Sequence, residues 1–333
     1  MIVLDADVLG RDRTGEETYV LNLLRQLPLV APDLQFAAVT RRPDLVPHGV
    51  EAIKLPAGSQ ELRMAWSLPR LLRRLRPELT HFQHVLPLGR VGRTVVTLHD
   101  LHFERDGSVM SLADRLTFKT FVPRAARRAN HVIAVSDRTK LDAVDLYGIA
   151  PDKITVTPHG VDPAFGPGEG AAGDYLLFVG AIQRRKDPLA ALAAAKEVGR
   201  PLIVVGPLRE PALAEELRAG GAEVRGWVSQ QTLAGLYRGA AALVLSSRYE
   251  GFGIPVLEAM ASGTPVVLSA DPALREVAGD AGSYAEHGDL AAAVRRVLDD
   301  RARYARAGLE RAKLFSWEET ARITAGVYRQ VLA

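Results

Sequence analysis

Ser247-Arg248-Tyr249-Glu250-Gly251-Phe252-Gly253-Ile254-Pro255-Val256-Leu257-Glu258-Ala259-Met260 follows the apolar run Ala241 to Leu245. The run is expected to be a strand. Pro255 suits a first helical turn, where its missing N–H would have had no partner. The segment therefore reads as strand, loop and helix, with Glu250 in a loop at a strand's carboxyl end and Glu258 about two turns into the helix. Gly251 and Gly253 permit positive φ and a close approach of backbone to a ligand. A helix N-terminus offers unpaired N–H groups and a partial positive charge, so an anionic ligand is expected here.

Working outward, apolar and β-branched runs alternate with helical segments, the pattern of parallel sheets covered by helices on both faces. In the first half, strands are expected near 2–5, 35–40, 52–55, 79–82, 94–98, 131–135 and 154–156. In the second half they are expected near 175–179, 202–205, 223–226, 241–245 and 265–268. Between the two sets, residues 162–173 are rich in Gly and Pro and read as a linker. The expected class is α/β, with two doubly wound, Rossmann-like domains facing each other across a cleft and ligands at strand carboxyl ends. We place the first domain at 1–165, the linker at 166–173 and the second domain at 174–316.

Composition narrows the function classes. A chain of 333 residues with 47% hydrophobic content is long enough for two cores. A net charge of +3 gives little support to nucleic-acid binding. The absence of cysteine excludes disulfides, thiolate metal sites and cysteine nucleophiles. The start Met1-Ile2-Val3-Leu4-Asp5 reads directly as a strand, and no run approaches the roughly 20 apolar residues of a membrane span. A cytoplasmic enzyme is expected. One basic stretch, 59–77, interleaves Arg63, Arg70, Arg73, Arg74 and Arg76 with leucines, Met64 and Trp66. A helix lying on the inner face of a membrane would look like this, and so would an ordinary helix packed on the first sheet.

Other strand ends carry chemistry. Residues 175–179 lead into Gly180-Ala181-Ile182-Gln183-Arg184-Arg185-Lys186-Asp187-Pro188, and three grouped cations suit a diphosphate whose charge grows as it departs. A solvated basic loop would read the same way. Near the N-terminus, Gly15 precedes Glu16 and Glu17 at the start of a helix. A glycine loop there can admit a phosphate or a sugar. The acidic pair disfavours phosphate, so Glu17 either bonds sugar hydroxyls or favours the helix terminus electrostatically. The strand 94–98 ends in His99-Asp100-Leu101-His102, and a second His-x-x-His pair is His81 with His84. Neither has a third ligand in register or an H-E-x-x-H helix, so no metal is expected. Ser136 reads as a helix N-cap. Gly226-Trp227-Val228-Ser229 lies at a further carboxyl end.

The Glu250-x7-Glu258 segment resembles the E-x7-E motif of glycosyltransferase family 4, retaining enzymes that use sugar nucleotides, and the likeness extends from Met1 through the terminal helix. It implies the GT-B arrangement, with a last helix at 317–333 crossing back to the first domain. It also implies that Glu258 grips the donor ribose and that Glu250, with Gly251, Phe252 and Gly253, holds the transferred sugar. Arg185 and Lys186 would contact the diphosphate, with Arg184 the other candidate, since Ala181 stands where many members have arginine. The base would pack near Val228 and the phosphate or sugar near Gly15. His99 would face the donor sugar, while Asp100 and Glu17 would serve the acceptor side. His159, where many members have asparagine, receives no catalytic role.

The resemblance thus implies a retaining, metal-independent hexosyltransferase of polysaccharide assembly. It would move a hexose from a GDP- or UDP-sugar, with mannose a candidate, to a glycan, lipid-linked or small-molecule acceptor, without a cofactor. A donor phosphate oxygen would take the acceptor proton, since no glycosidase-like carboxylate pair is evident. A sugar-nucleotide epimerase and a non-catalytic nucleotide-sugar-binding protein are the alternatives. A dinucleotide oxidoreductase is disfavoured because no G-x-G-x-x-G follows a strand.

Overall fold

The computed structural model describes residues 1–11, 14–56, 59–89, 92–105, 112–168 and 173–333. The chain divides into two compact units. Among the described residues, one holds those up to His159 together with Trp317–Ala333, and the other holds Gly160–Ser316.

The first unit carries β1 (Ile2–Asp5), β2 (Phe36–Thr40), β3 (Glu51–Lys54), β4 (Leu79–Gln83), β5 (Arg93–Leu98), β6 (His131–Ala134) and β7 (Ile154–Val156). The second carries β8 (Leu176–Val179), β9 (Leu202–Val205), β10 (Glu223–Gly226), β11 (Ala242–Leu245), β12 (Val266–Leu268) and β13 (Gly282–Tyr284). Twelve of these strands lie within one residue of their expected bounds. The unexpected strand, β13, is only three residues long and begins with glycine. It has no apolar run to announce it and takes its place by parallel pairing with β12.

Among the described residues the strands form a 7-stranded sheet in the order β3-β2-β1-β4-β5-β6-β7 and a 6-stranded sheet in the order β10-β9-β8-β11-β12-β13. All pairings are parallel. The strand order reverses between β1 and β4 in the first sheet and between β8 and β11 in the second. Loops leaving the carboxyl ends of such a pair diverge to opposite faces and open a crevice for ligands.

Alternation along the strands builds the core. In the first unit Ile2 and Leu4 join Tyr19, Leu23 and Tyr328 on one face, while Val3 joins Val39, Phe82 and Val96 on the other, the two-residue period of a strand. The terminal helix Trp317–Leu332 packs on the helix Thr14–Val30. Its Tyr328 hydroxyl lies 2.7 Å from His81 Nδ1, and the other ring nitrogen lies 2.7 Å from Thr97 Oγ1. Both nitrogens of His81 are therefore used structurally.

Two expectations change in detail. Residues 160–165, placed above at the end of the first domain, pack with the second unit, where Phe165 meets the Tyr237 ring edge-on at 5.7 Å. The following linker, 166–173, is described only in part, since residues 169–172 lie outside the described residues. The basic stretch 59–77 is a helix interrupted by a π-helical turn, Arg63–Ser67. It buries Leu68 and Leu72, and Arg63, counted among its surface cations, turns inward to Asp5.

Candidate active site

In the second unit the β8 loop and the β11 loop meet where the strand order reverses. After Gly180 the chain makes a tight turn, Arg184–Lys186, before the helix Pro188–Glu197. Gly206, after β9, takes φ 147°, and a Cβ there would lie 2.0 Å from the Gly180 carbonyl oxygen. The neighbouring loops therefore pack backbone on backbone, which requires glycine.

The three cations of this turn separate. Arg184 is exposed, its backbone N–H donating to Glu210 and its guanidinium 3.6 Å from Glu216. Arg185 is buried and donates to the Tyr249 carbonyl at 2.5 Å. Arg248 N–H returns a bond to the Arg185 carbonyl at 3.0 Å. Lys186 Nζ lies 2.5 Å from both carboxylate oxygens of Glu250. Burial pushes the Glu250 carboxyl up, but Lys186 and then Arg185 outweigh it and hold the group below its ordinary range. Arg185 and Lys186 thus converge on the β11 loop, whereas Arg184 turns away from it. The Glu250 N–H also approaches Asp271 Oδ2 at 3.3 Å, and the other oxygen of Asp271 caps the helix Pro272–Ala278.

The helix after this loop runs from Ile254 to Ala261. Of the two loop glycines, Gly253 takes positive φ, 108°, immediately before the helix. With the helix starting at Ile254, Glu258 lies one turn into it rather than two. Phe252 is buried, with its ring 6.1 Å from Phe315. Tyr237, on the neighbouring helix Gln230–Gly239, donates its hydroxyl to Glu258 Oε2 at 2.8 Å. Burial raises the Glu258 carboxyl to about 7, against the lowering effect of that bond, and Asp162 adds to the rise. Tyr237 was missed by sequence reasoning because it lies 21 positions from its partner inside an ordinary amphipathic helix. Val228 is half-buried after β10, next to Ser229, which caps the same helix.

In the first unit, His99 follows β5 and bonds to Gln83 Oε1 at 2.8 Å through Nε2. Its pKa falls to about 4, first through burial and then through His84, so the ring is neutral at pH 7. Asp100 accepts a bond from His102 Nδ1 at 2.7 Å. The helix expected near Glu16 begins at Thr14. A Cβ at Gly15 would meet nothing within 4 Å, and Glu17 accepts the Gly10 N–H at 2.6 Å. Asp12 and Arg13 of this loop lie outside the described residues.

A polar cluster missed by sequence reasoning lies beside these groups. Arg63 reaches Asp5 through two oxygens at 2.9 Å and Asp7 at 3.1 Å, and Arg41 reaches Asp7 at 2.8 Å. The Asp-x-Asp spacing at the end of β1 was its only local signal. Among the described residues, no group of three or more His, Asp or Glu side chains is arranged to hold a metal ion.

The chain is similar to known proteins over most of its length. A family model described as Glycosyltransferase Family 4 matches residues 13–165, and one described as Glycosyl transferases group 1 matches residues 173–300. The chain is 30% identical to a D-inositol 3-phosphate glycosyltransferase of Acidothermus cellulolyticus, over 97% of this chain and 87% of that protein. It is 28% identical to the O-antigen chain mannosyltransferase B of Escherichia coli, over 80% of this chain and 77% of that one. The crystal structure of Anabaena Alr3699/HepE in complex with UDP and glucose superposes with a TM-score of 0.75 at 16% identity, covering 99% of each chain.

Proposed function

The chain belongs to glycosyltransferase family 4 and has the GT-B fold, and on that premise we propose that it transfers a hexosyl group, with retention, from a UDP- or GDP-hexose to an acceptor hydroxyl. The observation that carries this reading is the convergence of Arg185, Lys186 and Glu250 at the carboxyl ends of β8 and β11, beside a helix N-terminus. Fixed positive charge there matches the charge that builds on a departing diphosphate. Arg185 and Lys186 take the diphosphate. Glu250 and the backbone from Gly251 to Gly253 take the sugar.

Glu258, held at Oε2 by Tyr237, takes the ribose hydroxyls, and the base lies near Val228. His99, as a neutral ring fixed by Gln83, is assigned a hydrogen bond to the transferred sugar. The UDP named for HepE supports a uridine donor, and the relative named as a mannosyltransferase supports mannose as one candidate sugar. The two cations replace a metal in this account. No helix among the described residues is long and apolar enough to cross a membrane.

The reaction is tested by incubating the protein with UDP- and GDP-hexoses and an acceptor panel, with product anomers read by NMR. A product with the donor's anomeric configuration, formed at the same rate with and without EDTA, is expected. An inverted product, or loss of turnover in EDTA that added divalent metal restores, would overturn the mechanism.

A further inference from the structure

The first unit holds a cavity of about 440 Å³. It lies at the carboxyl ends of β1 and β4, where the order of the first sheet reverses, the position at which open α/β sheets accept ligands. The π-helical turn Arg63–Ser67 forms part of its wall, and such turns occur frequently at functional sites.

The two sides of the cavity differ. The polar side carries four carboxylates, Asp5, Asp7, Glu16 and Glu61, against two guanidiniums, Arg11 and Arg63. Both guanidiniums are engaged, Arg63 with Asp5 and Asp7, and Arg11 with Asp7. Arg41 reaches Asp7 from outside the lining, and His84, also in the lining, lies 3.3 Å from Glu16 through Nε2, so carboxylates and their partners nearly balance. An anionic group would find each of these guanidiniums already engaged by a carboxylate, whereas neutral hydroxyls can donate to carboxylate oxygens at the rim. Gln83 lines the same side, and its amide nitrogen is buried without a hydrogen-bond partner. A buried donor of this kind calls for an oxygen.

The other side is apolar, with Met64, Val85, Leu86 and Phe118, and it runs out to Leu88 and Phe121. Those two are 54% and 39% exposed, and Leu62 and Trp66, on the lining segment, are each 61% exposed. Large apolar side chains held in water around a pocket mark a binding surface.

We propose that this cavity seats the acceptor, and that the acceptor is an amphiphile. Its uncharged, hydroxyl-bearing head lies against Gln83 and the more exposed carboxylates Glu16 and Glu61, and its apolar chain leaves across Leu88 and Phe121. The inference rests on the transferase reading above and selects among its acceptors.

The test is calorimetric titration with n-octyl α-D-mannopyranoside and n-octyl β-D-glucopyranoside below their micelle concentrations, with the matching methyl glycosides, and with D-inositol 3-phosphate. At least one octyl glycoside is expected to bind about tenfold or more tightly than its methyl counterpart, an effect within reach of a few buried methylenes. The advantage should shrink at least threefold in Leu88→Ser and Phe121→Ser, whose exposed positions spare the core. Octyl and methyl glycosides within twofold of each other, no saturable binding of either, tightest binding by inositol 3-phosphate, or an octyl advantage unchanged in both variants would each overturn the proposal. Titration of UDP- and GDP-hexoses in the same samples separates the two readings. Donor binding without the octyl preference removes only the amphiphile, and octyl binding without donor binding removes the transferase assignment.

Discussion

The ammonium of Lys186 sits 2.5 Å from each carboxylate oxygen of Glu250, joining the loop after β8 to the loop after β11. This pair makes one unit of two roles in the proposed reaction. Lys186 is held in place before a diphosphate arrives, and Glu250 stays ionised although it is buried.

Lys186→Met is therefore predicted to slow turnover by about 10²–10³-fold, the usual effect of losing one charge-stabilising group. It also strands a buried carboxylate, which costs about 3 kcal/mol in denaturant unfolding at pH 7. Because the folded pKa of Glu250 lies below its ordinary 4.5, its pairing stabilises wild type above that value. The contribution is lost as acid titrates the folded group. Adding Glu250→Gln should restore stability without restoring turnover, whereas recovery of turnover would dissociate Lys186 from the chemistry.

Glu258 predicts the opposite pH response. Its folded pKa, about 7, is raised above 4.5, so the carboxyl favours folding below 4.5 and that benefit disappears as pH rises through 7. Glu258→Gln should then be more stable than wild type at pH 8, on the order of 2 kcal/mol, with no gain at pH 4. Donor binding needs the ionised group. In wild type it should tighten up to about tenfold from pH 6 to pH 8, and Tyr237→Phe, lacking the bond that lowers the pKa, should move that rise to higher pH. Isothermal titration across this range checks both, and a flat wild-type profile would contradict the ribose assignment.

Gly253 combines φ 108° with a position where a Cβ would lie 2.8 Å from Leu274 Cδ2. Gly253→Ala should cost about 1–3 kcal/mol through backbone strain and weaken donor binding, measured as a raised Kd. An alanine variant with wild-type stability and affinity would show that this turn is not fixed by the glycine.

Much of this architecture was legible in the sequence because parallel strands buried on both faces are continuous apolar runs. The strand β13 was not, since its three residues lack such a run and depend on β12. The Glu250 and Glu258 pair could be found because strand, turn and helix succeed each other locally. The partners that tune the pair could not. Tyr237 reaches Glu258 from another helix, and that Arg185 rather than Arg184 faces the Tyr249 carbonyl is set by the backbone of a turn of three adjacent cations. Arg63 was hidden for a similar reason, because a π-helical turn directs it inward from a stretch that otherwise reads as a basic surface.

The terminal helix is tied to the first sheet through Tyr328 and His81, whose pKa falls to about 3 through burial and then through His99. A neutral buried histidine stabilises the fold above its ordinary 6.5, and the benefit declines as pH falls from there toward 3. Tyr328→Phe leaves His81 Nδ1 without its partner and should cost about 1–3 kcal/mol. Urea unfolding at pH 7 measures this cost. Loss of donor affinity without loss of stability would place Tyr328 in the site instead.

The most direct test of the donor assignment is thermal unfolding in the presence of UDP- and GDP-hexoses, in wild type and in Glu258→Ala, since a ligand of the folded state raises its stability by mass action. The account predicts a saturable rise in Tm with one of the two nucleotides, lost in Glu258→Ala. A rise that persists unchanged in the variant, or no rise with either nucleotide, would contradict it.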